Sequence, residues 1–397
     1  MSDSFKFKFS DAVVVGGGMV GAATALGLAQ LGLTVTVLEH QQPNPYDDSA
    51  PLDVRVSAIS VASETLLERL GAWQNITAMR NAPYLGLETW ELEGFITQFS
   101  HQQLDIPHLG HIIENRNVQL GIWQALKAHE KVTVICPASI INYSRINEQT
   151  LSITLKSGEV FHTNLLIGCD GANSKVRDWA GIGITGWDYK QSAMLVNIET
   201  QVPQQDVTWQ QFTPSGPRSL LPLPGNHASL VWYDSPKVIA QLMQLNSVQL
   251  AEQIRQHFPS RLDPHFTVLD KGAFPLTRRH ANEYYKDNVV ILGDAAHTIN
   301  PLAGQGVNLG FKDVDALITS ISEALGSNQT WFSKEVLQSY QKVRYRDNLL
   351  MQTGMDVFYK SFSNDLTPVK AIRSLALKVA NIDSPIKKQV LKYALGL

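Results

Sequence analysis

Two glycine-rich loops, far apart in the chain, hold the residue types best suited to binding a phosphate-bearing cofactor. The first, GGGMVG, spans residues 16–21, and the second runs from residue 293 to residue 310. Glycine loops that open a helix bind phosphate because their backbone N–H groups and the helix dipole face the anion. A nicotinamide dehydrogenase needs only the first loop. FAD, held extended with AMP at one end and isoalloxazine at the other, would use both, so the pair predicts a flavoprotein.

The elements around the first loop form a βαβ pattern. Residues 11–15 are an apolar run typical of a strand buried on both faces, residues 20–31 carry small residues at helical spacing, and residues 34–38 form a second strand. Glycines in this fingerprint allow a tight turn, close approach of the pyrophosphate and close packing of helix on strand, and an acid ending the second strand accepts hydrogen bonds from the ribose. The predicted cofactor-binding residues here are Gly16, Gly18, Met19, Val20, Gly21 and Glu39.

The second loop follows a further apolar strand, residues 289–292. Asp294, at the end of this strand, is placed to bind a polyol such as the ribityl chain of a flavin. The next helix is predicted to run to about Ser320, and its N–H groups would face the isoalloxazine edge, where negative charge develops on reduction. The alternative is a helix-entry loop with ordinary turn glycines. The candidate cofactor-binding residues are Asp294, Pro301, Gly304, Gln305, Gly306, Val307 and Asn308.

Four other polar residues have more than one interpretation. Arg55 and Arg116 either lie on the surface or reach the phosphates, the flavin ring or the ribityl chain of the cofactor. Asp170 follows the apolar strand 165–169 and is a further cofactor-binding candidate. His297 is either a base or a residue that orients its loop. We assign no protein base, and Pro301 and His297 are the catalytic candidates beside the flavin.

The middle of the chain has a different pattern. Residues 191–200, 208–213 and 229–233 alternate polar with apolar or aromatic residues and predict antiparallel strands. A second glycine pattern, residues 181–186, follows a predicted helix instead of a strand, so we interpret it as a turn and not as a nicotinamide site. We predict an α/β fold in which a β-rich substrate domain (73–100 and 181–280) is inserted into a Rossmann-like cofactor domain (1–72, 101–180 and 281–330), followed by a helical region (331–397).

Composition narrows the function class. The 397 residues carry a formal net charge of −3, so nothing indicates a nucleic-acid partner. The two cysteines, Cys136 and Cys169, have no metal-like spacing and fit a reducing compartment, so we predict neither a metal site nor a disulfide. The apolar run 12–38 divides into strand, turn, helix and strand, which favours nucleotide binding over a signal peptide or a membrane span. We expect a cytoplasmic protein.

These motifs resemble those of the FAD-dependent aromatic hydroxylases of the para-hydroxybenzoate hydroxylase superfamily, and specifically its ubiquinone-biosynthesis branch. The resemblance spans essentially the whole chain. It is carried by GDAAH at 293–297, PLAGQGVN at 301–308, DGANS at 170–174, WQQFTP at 209–214, VWYDSP at 231–236, FPLTRRH at 274–280 and KYALGL at 392–397.

The resemblance implies a para-hydroxybenzoate-hydroxylase-type fold and an enzyme. FAD would be reduced by NAD(P)H that binds transiently, and would then react with O2 to give a C4a-hydroperoxyflavin that hydroxylates the ring of a polyprenylated methoxy-benzoquinol in aerobic ubiquinone biosynthesis. The activated quinol needs no strong protein base. Three alternatives stay open: a sibling hydroxylase acting at another ring position, a dehydrogenase without oxygen chemistry, and a non-catalytic FAD-bearing assembly subunit.

The inserted domain would cover the flavin and exclude water, with Trp209, Phe212 and Trp232 as candidates for the wall of the substrate pocket or, alternatively, as core residues. The predicted helices 369–380 and 385–395 are apolar on one side and basic on the other. They fit peripheral contact with an anionic membrane, contact with other ubiquinone-biosynthesis proteins, or packing against the protein itself.

Overall fold

The computed structural model describes residues 7–299, 306–362, 388–389 and 391–392, which contain nineteen strands, nine α-helices and two short 3-10 helices, His101–Leu104 and Gly293–Ala295. In chain order the strands are β1 (Lys8–Val15), β2 (Val35–Leu38), β3 (Val56–Ser60), β4 (Ala82–Tyr84), β5 (Gly86–Trp90), β6 (Thr97–Ser100), β7 (Gly110–Glu114), β8 (Val132–Ile135), β9 (Ile140–Asn147), β10 (Thr150–Leu155), β11 (Val160–Gly168), β12 (Ile184–Thr200), β13 (Val207–Gln211), β14 (Arg218–Pro222), β15 (His227–Asp234), β16 (Phe266–Ala281), β17 (Tyr285–Lys286), β18 (Val289–Ile291) and β19 (His297–Thr298). The helices are α1 (Met19–Gln30), α2 (Val61–Arg69), α3 (Trp73–Thr77), α4 (Asn115–Ala128), α5 (Lys175–Trp179), α6 (Pro236–Gln244), α7 (Ser247–His257), α8 (Gly306–Gly326) and α9 (Lys334–Phe362).

The first sheet carries both glycine loops at one edge. Its order is β17-β18-β11-β1-β2-β8, with β18, β11, β1, β2 and β8 parallel and the hairpin β9-β10 extending β11. Val13 and Val14 of β1 are fully buried, as expected for a parallel strand covered on both faces. The carboxyl ends of β1, β11 and β18 lie side by side, so the residues that follow them meet at one crevice.

The second sheet is antiparallel except for one pair. Its order is β19-β16-β12-β15-β14-β13-β5-β6, and β13 runs parallel to β5. One face packs against α6 and α7 and buries Trp90, Met194 and Trp209, while the other face buries Ala193, Leu195 and Tyr233. A small third sheet has the strand order β3-β7-β4. The predicted mixed α/β fold is confirmed.

Two strands are longer than the sequence indicates. The prediction began β12 at residue 191, whereas β12 begins at Ile184, and β16 was not predicted at all. In the sequence, the glycine at 186 indicates a turn instead of a strand. In the structure, Gly186 is needed because β12 and β16 approach closely there: a Cβ would be 2.2 Å from the Arg278 carbonyl oxygen. A register irregularity between Asp188 and Ser192 further breaks the alternation.

The remaining elements follow the sequence pattern. Residues 181–186 form a turn after α5 and the start of β12, and Gly181 has a φ of 65°, which favours glycine. α8 continues to Gly326, past the predicted end at Ser320, and α9 is helical as predicted after residue 330. The predicted domain boundaries stay a prediction. No described helix is long and apolar enough to cross a bilayer. The predicted basic helices 369–380 and 385–395 lie almost wholly outside the described residues.

Candidate active site

A cleft of about 480 Å³ opens where the two glycine loops meet. Its walls come from both sheets, since Gly18, Met19 and Val20 follow β1, while Leu195 and the segment 274–277 belong to the second sheet. Gly293, Asp294, Gly306, Val307 and Gly310 of the second loop also line it. A volume of this size is ordinary for a small-molecule or cofactor site. The cleft therefore joins the predicted cofactor loops to the sheet predicted to cover the substrate.

The three glycines of the first loop differ in the space that surrounds them. Gly16 has a φ of 96°, and a Cβ there would lie 2.4 Å from the Cys169 carbonyl oxygen. A Cβ on Gly21 would lie 1.9 Å from the Gly16 carbonyl oxygen, so only glycine allows α1 to start this close to β1. At Gly18 a Cβ would meet no protein atom within 4 Å. Gly18 therefore presents bare backbone to the cleft.

Glu39 lies at the end of β2 and contacts the first loop directly. One carboxylate oxygen accepts the N–H of Gly17 at 2.5 Å, and the other accepts the N–H of Gln41 at 3.0 Å. From the other side, Gln119 and Trp123 of α4 donate to the Gly17 carbonyl at 2.8 and 2.7 Å. Sequence reasoning missed these two residues, whose only signal is a spacing of four, which would put them on one face of a helix.

Asp294 lines the cleft and is exposed. Desolvation by the surrounding protein raises the pKa of its carboxyl group, an effect that His297 and Arg55 oppose. Arg55 is exposed and also lines the cleft, so the structure brings it to the same opening as Asp294. A carboxylate and a guanidinium across one cleft can bind hydroxyls and phosphates respectively.

His297 does not reach the cleft. Only 2% of it is exposed, and its Nε2 lies 2.5 Å from Oδ2 of the buried Asp313. That carboxylate also accepts from the Gly293 N–H at 3.0 Å and from Arg344 Nε at 2.8 Å. Burial alone would raise the pKa of Asp313, but His297 and Arg344 outweigh it and hold that pKa well below the usual range. His297 therefore orients the loop, the second of the two interpretations that the sequence left open.

Asn308 also fastens the loop instead of lining the cleft. Its Oδ1 accepts from the Ser60 N–H at 3.1 Å and the Ser63 hydroxyl at 2.8 Å, and its Nδ2 donates to the Ala58 carbonyl at 2.8 Å. These bonds fix the first turn of α8 against β3 and α2. Gly306 and Val307, in the same turn, do line the cleft. Pro301, Gly304 and Gln305 lie outside the described residues.

Arg116 and Asp170 are engaged with their own segments. Arg116 Nε lies 3.0 Å from Asp53 Oδ2, and Arg116 does not line the cleft. Asp170 accepts the Ser174 hydroxyl at 2.5 Å and the Lys175 N–H at 2.7 Å, so its carboxylate caps α5. The neighbours of Asp170, at positions 169, 171 and 172, line the cleft in its place. The structure thus gives both side chains positioning roles.

The predicted pocket wall of Trp209, Phe212 and Trp232 needs correction. Trp232 pairs with Met194 on the helix-covered face of the second sheet, and Trp209 packs on the same face. Their rings lie 5.5 Å (Trp232) and 6.5 Å (Trp209) from the Phe258 ring, centroid to centroid. Phe212 is buried beside β13 and does not line the cleft either.

The wall is made by the opposite face of that sheet. Leu195, Phe274 and Leu276 of the apolar cluster on that face line the cleft, together with the adjoining Pro275 and Thr277, and none of these five side chains titrates. Sequence reasoning named three aromatic residues on predicted strands as candidates for the wall or for the core, and the two-residue alternation of a strand decides which face each side chain takes. The described lining on this side is mainly apolar and carries no charge.

The residues present fit an FAD molecule. The open space beside Gly18 and the start of α1, which no side chain caps, suit a pyrophosphate, and Glu39 suits a ribose. A family model described as an FAD binding domain matches residues 10–347. The chain belongs to this FAD-binding family. FAD is its cofactor, and it is a flavin-dependent monooxygenase.

Curated relatives agree with this. The chain is 52% identical to the 3-demethoxyubiquinol 3-hydroxylase of Escherichia coli (strain K12), over 98% of this chain and 99% of the relative. It is 32% identical to the ubiquinone biosynthesis monooxygenase COQ6 of Rattus norvegicus, a mitochondrial protein, over 97% of this chain and 90% of the relative. The predicted resemblance to the ubiquinone-biosynthesis hydroxylases is confirmed.

Solved structures show the same fold at lower identity. The p-nitrophenol 4-monooxygenase PnpA of Pseudomonas putida DLL-E4 superposes with a TM-score of 0.79 at 18% identity, covering 97% of each chain. The probable FAD-dependent monooxygenase pqsL of Pseudomonas aeruginosa gives 0.76 at 20% identity, covering 95% of this chain and all of that one. The predicted fold class, an α/β flavin monooxygenase fold with a Rossmann-like FAD-binding part and an antiparallel β-sheet, is confirmed.

Proposed function

We propose that the protein hydroxylates the ring of a polyprenylated methoxy-benzoquinol in aerobic ubiquinone biosynthesis, using FAD, NAD(P)H and O2. The observation that carries the proposal is the 52% identity, over nearly both full lengths, to the 3-demethoxyubiquinol 3-hydroxylase of E. coli. The apolar, uncharged wall of the cleft supports it, because a methoxy-benzoquinol with a prenyl tail offers mainly apolar surface.

When bound, FAD supplies the redox chemistry, taking electrons from NAD(P)H and activating O2 for transfer of one oxygen atom to the ring. The chain's own residues bind, orient and exclude water. The bare backbone at Gly18 and the start of α1 would hold the pyrophosphate, and Glu39 would hold the adenosine ribose. Asp294 and the first turn of α8 would hold the ribityl chain and the flavin ring.

The substrate side needs shape more than acid–base chemistry. A quinol ring already carries two electron-donating oxygens, so its attack requires no strong protein base. The face of β12 and β16 that carries Leu195 and Phe274 would pack on the ring and keep water from the reacting atoms. His297, paired with Asp313 and buried, would position the flavin-side loop and would not exchange protons with the substrate.

The test is oxygen uptake by the FAD-loaded protein with NADPH and with NADH, in the presence and absence of a short-tailed demethoxyubiquinol analogue. Carried out in 18O2, the reaction is expected to give a product that gains one labelled oxygen, identified by mass spectrometry and by its ring position. An analogue already hydroxylated at that position is the matched control. It should leave the rate of oxygen uptake at its substrate-free level.

Each alternative has its own outcome. The similarity to COQ6 supports the alternative of a sibling hydroxylase acting at another ring position, and such an enzyme would label a different ring carbon. Flavin that is reduced without labelled product would indicate a dehydrogenase, and flavin that NAD(P)H never reduces would indicate an assembly subunit.

Peripheral membrane contact through residues 369–395 is a separate proposal. It would be contradicted if truncation after Asp365 left binding to anionic liposomes unchanged.

A further inference from the structure

Three metal-ligating side chains converge on one point away from the cleft. Glu64 lies in the first turn of α2, His111 in β7, and His108 in the loop just before that strand. One ligand atom from each, an oxygen of the carboxylate and a nitrogen of each ring, lies within 4.8 Å of the other two. None of the three residues lines the cleft, so the proposed hydroxylation does not use them.

The distances suit a small cation. Glu64 Oε2 lies 2.8 Å from His108 Nε2 and 3.4 Å from His111 Nδ1. Ligand atoms at the ordinary zinc distances of about 2.0–2.1 Å in a tetrahedron are separated by roughly 3.3 Å. Two of the three pairs are therefore within about 0.5 Å of zinc spacing. Small rotations of two imidazole rings would complete the arrangement.

The third ligand is held in place without a satisfied hydrogen bond. His111 is 8% exposed, and its Nδ1 is buried with no hydrogen-bond partner although it faces Glu64. Its ring packs edge-on against Trp73, with centroids 5.2 Å apart. A buried nitrogen without a partner costs free energy, and a metal ion accepting its lone pair would remove that cost. His108 is the more exposed histidine and opens the cluster to solvent.

We propose that Glu64, His108 and His111 form a binding site for one divalent transition-metal ion, zinc above all, with water as the fourth ligand. Two imidazoles and one carboxylate are a common zinc ligand set. Both rings would bind as neutral imidazoles, so the hydrogen bond between His108 and Glu64 is replaced by two bonds to the ion. Because its three ligands do not line the cleft, the ion would hold these elements together and take no part in the hydroxylation.

The location gives the site a structural effect. The ion would tie the first turn of α2 to β7 and the loop before it. The same turn of α2, through Ser60 and Ser63, binds Asn308 at the start of α8. The ion would thus stabilise one of the supports of the flavin-side helix.

The experiment uses the full-length, FAD-loaded protein after chelator treatment, titrated with zinc against a chromophoric competitor. We expect one zinc ion per chain. Glu64→Gln and His111→Gln are each expected to weaken binding by 100-fold or more, since loss of even an outer partner of a metal ligand costs about 10- to 100-fold. His265→Gln is the matched control, because His265 pairs with Asp263 on the surface at 3.1 Å without a third ligand, and it should bind as wild type does.

X-ray absorption of the zinc-loaded wild type keeps the test independent of how the variants fold. The expected spectrum shows a first shell of nitrogen and oxygen with the scattering of two imidazoles. A first shell with one imidazole or none would overturn the proposal. So would wild-type protein that binds zinc no more tightly than folded, FAD-containing His111→Gln. In either case the cluster is an ion-pair network alone.

Discussion

Gly18 and Gly21 lie three residues apart in the same loop, yet their replacement by alanine should affect different properties. A Cβ on Gly21 would lie 1.9 Å from the Gly16 carbonyl oxygen and 3.0 Å from Cys169 Cβ. A Cβ on Gly18 would meet no protein atom within 4 Å, and the Gly18 φ of −65° is one that alanine adopts freely. Gly21→Ala should therefore damage folding, whereas Gly18→Ala should damage cofactor binding.

The magnitudes follow from these contacts. Forcing a methyl group against backbone costs about 1–3 kcal/mol and sometimes more, and the Gly16 carbonyl cannot retreat without moving the loop. Alanine inside a helix recovers about 1 kcal/mol relative to glycine, so we expect Gly21→Ala to lower the free energy of unfolding by about 2 kcal/mol. Gly18 immediately precedes the helix, and at that position glycine stabilises a helix by about 1 kcal/mol or less relative to alanine.

The assay is urea unfolding of the apoprotein, together with FAD titration followed by flavin fluorescence. Gly18→Ala should unfold within about 1 kcal/mol of wild type but bind FAD at least tenfold more weakly, a loss of about 1.4 kcal/mol or more. Its stabilisation by added FAD should fall accordingly. If Gly18→Ala bound FAD as wild type does, the pyrophosphate would not lie against this residue, and our placement of the cofactor would be wrong.

Three further predictions concern other parts of the cleft and its supports. His280 is buried, and burial together with His297 and Arg278 lowers its pKa to about 4. As the pH falls, His280 is therefore protonated in the unfolded chain before it is protonated in the folded one. Urea unfolding should show the free energy of unfolding decrease by roughly 2–3 kcal/mol as the pH drops from 6.5 to 4. His280→Gln should reduce this dependence on pH. Asn308→Ala leaves buried partners unsatisfied and should cost about 3 kcal/mol in urea unfolding; a loss below about 1 kcal/mol would contradict its role as a fastening. Leu195→Ala should raise KM for the quinol. The neighbouring Met194→Ala, on the opposite face, should cost about 2–5 kcal/mol of stability and leave KM unchanged, and a shift in KM from Met194→Ala would reverse our assignment of the faces.

Local patterns in the sequence predict the cofactor side of the site well. The βαβ unit around residues 16–21 depends on contacts between residues close in the chain, so spacing alone brings Gly16, Gly21 and Glu39 together at this loop, where the structure also has them. The long antiparallel pair β12-β16 depends on partners 66 to 97 residues apart and on a glycine at 186 that a local reading takes for a turn. Which side chains of this pair face the cleft could not be derived without the register.

Some motif residues bind the protein itself and not a ligand, and the sequence does not distinguish these two roles. Asp170 and Asn308 stand in the right loops, but their polar atoms bind backbone and hydroxyl groups of the protein itself. A buried polar side chain must find partners, and close to a glycine loop the nearest partners are the loop's own N–H and C=O groups. The sequence shows that such a residue is at the site but not which way it points.

The two loops can share one cofactor only because α1 and α8 approach closely. A Cβ on Gly310 would lie 2.5 Å from Val20 Cγ2, and one on Gly27 would lie 2.0 Å from Ile318 Cδ1. A side chain at either position would force Val20 or Ile318 to move before the two helices could keep this separation. Gly310 of the second loop, packed against Val20 of the first, therefore also helps set the distance between the two helix starts, on which the span of a bound dinucleotide would depend.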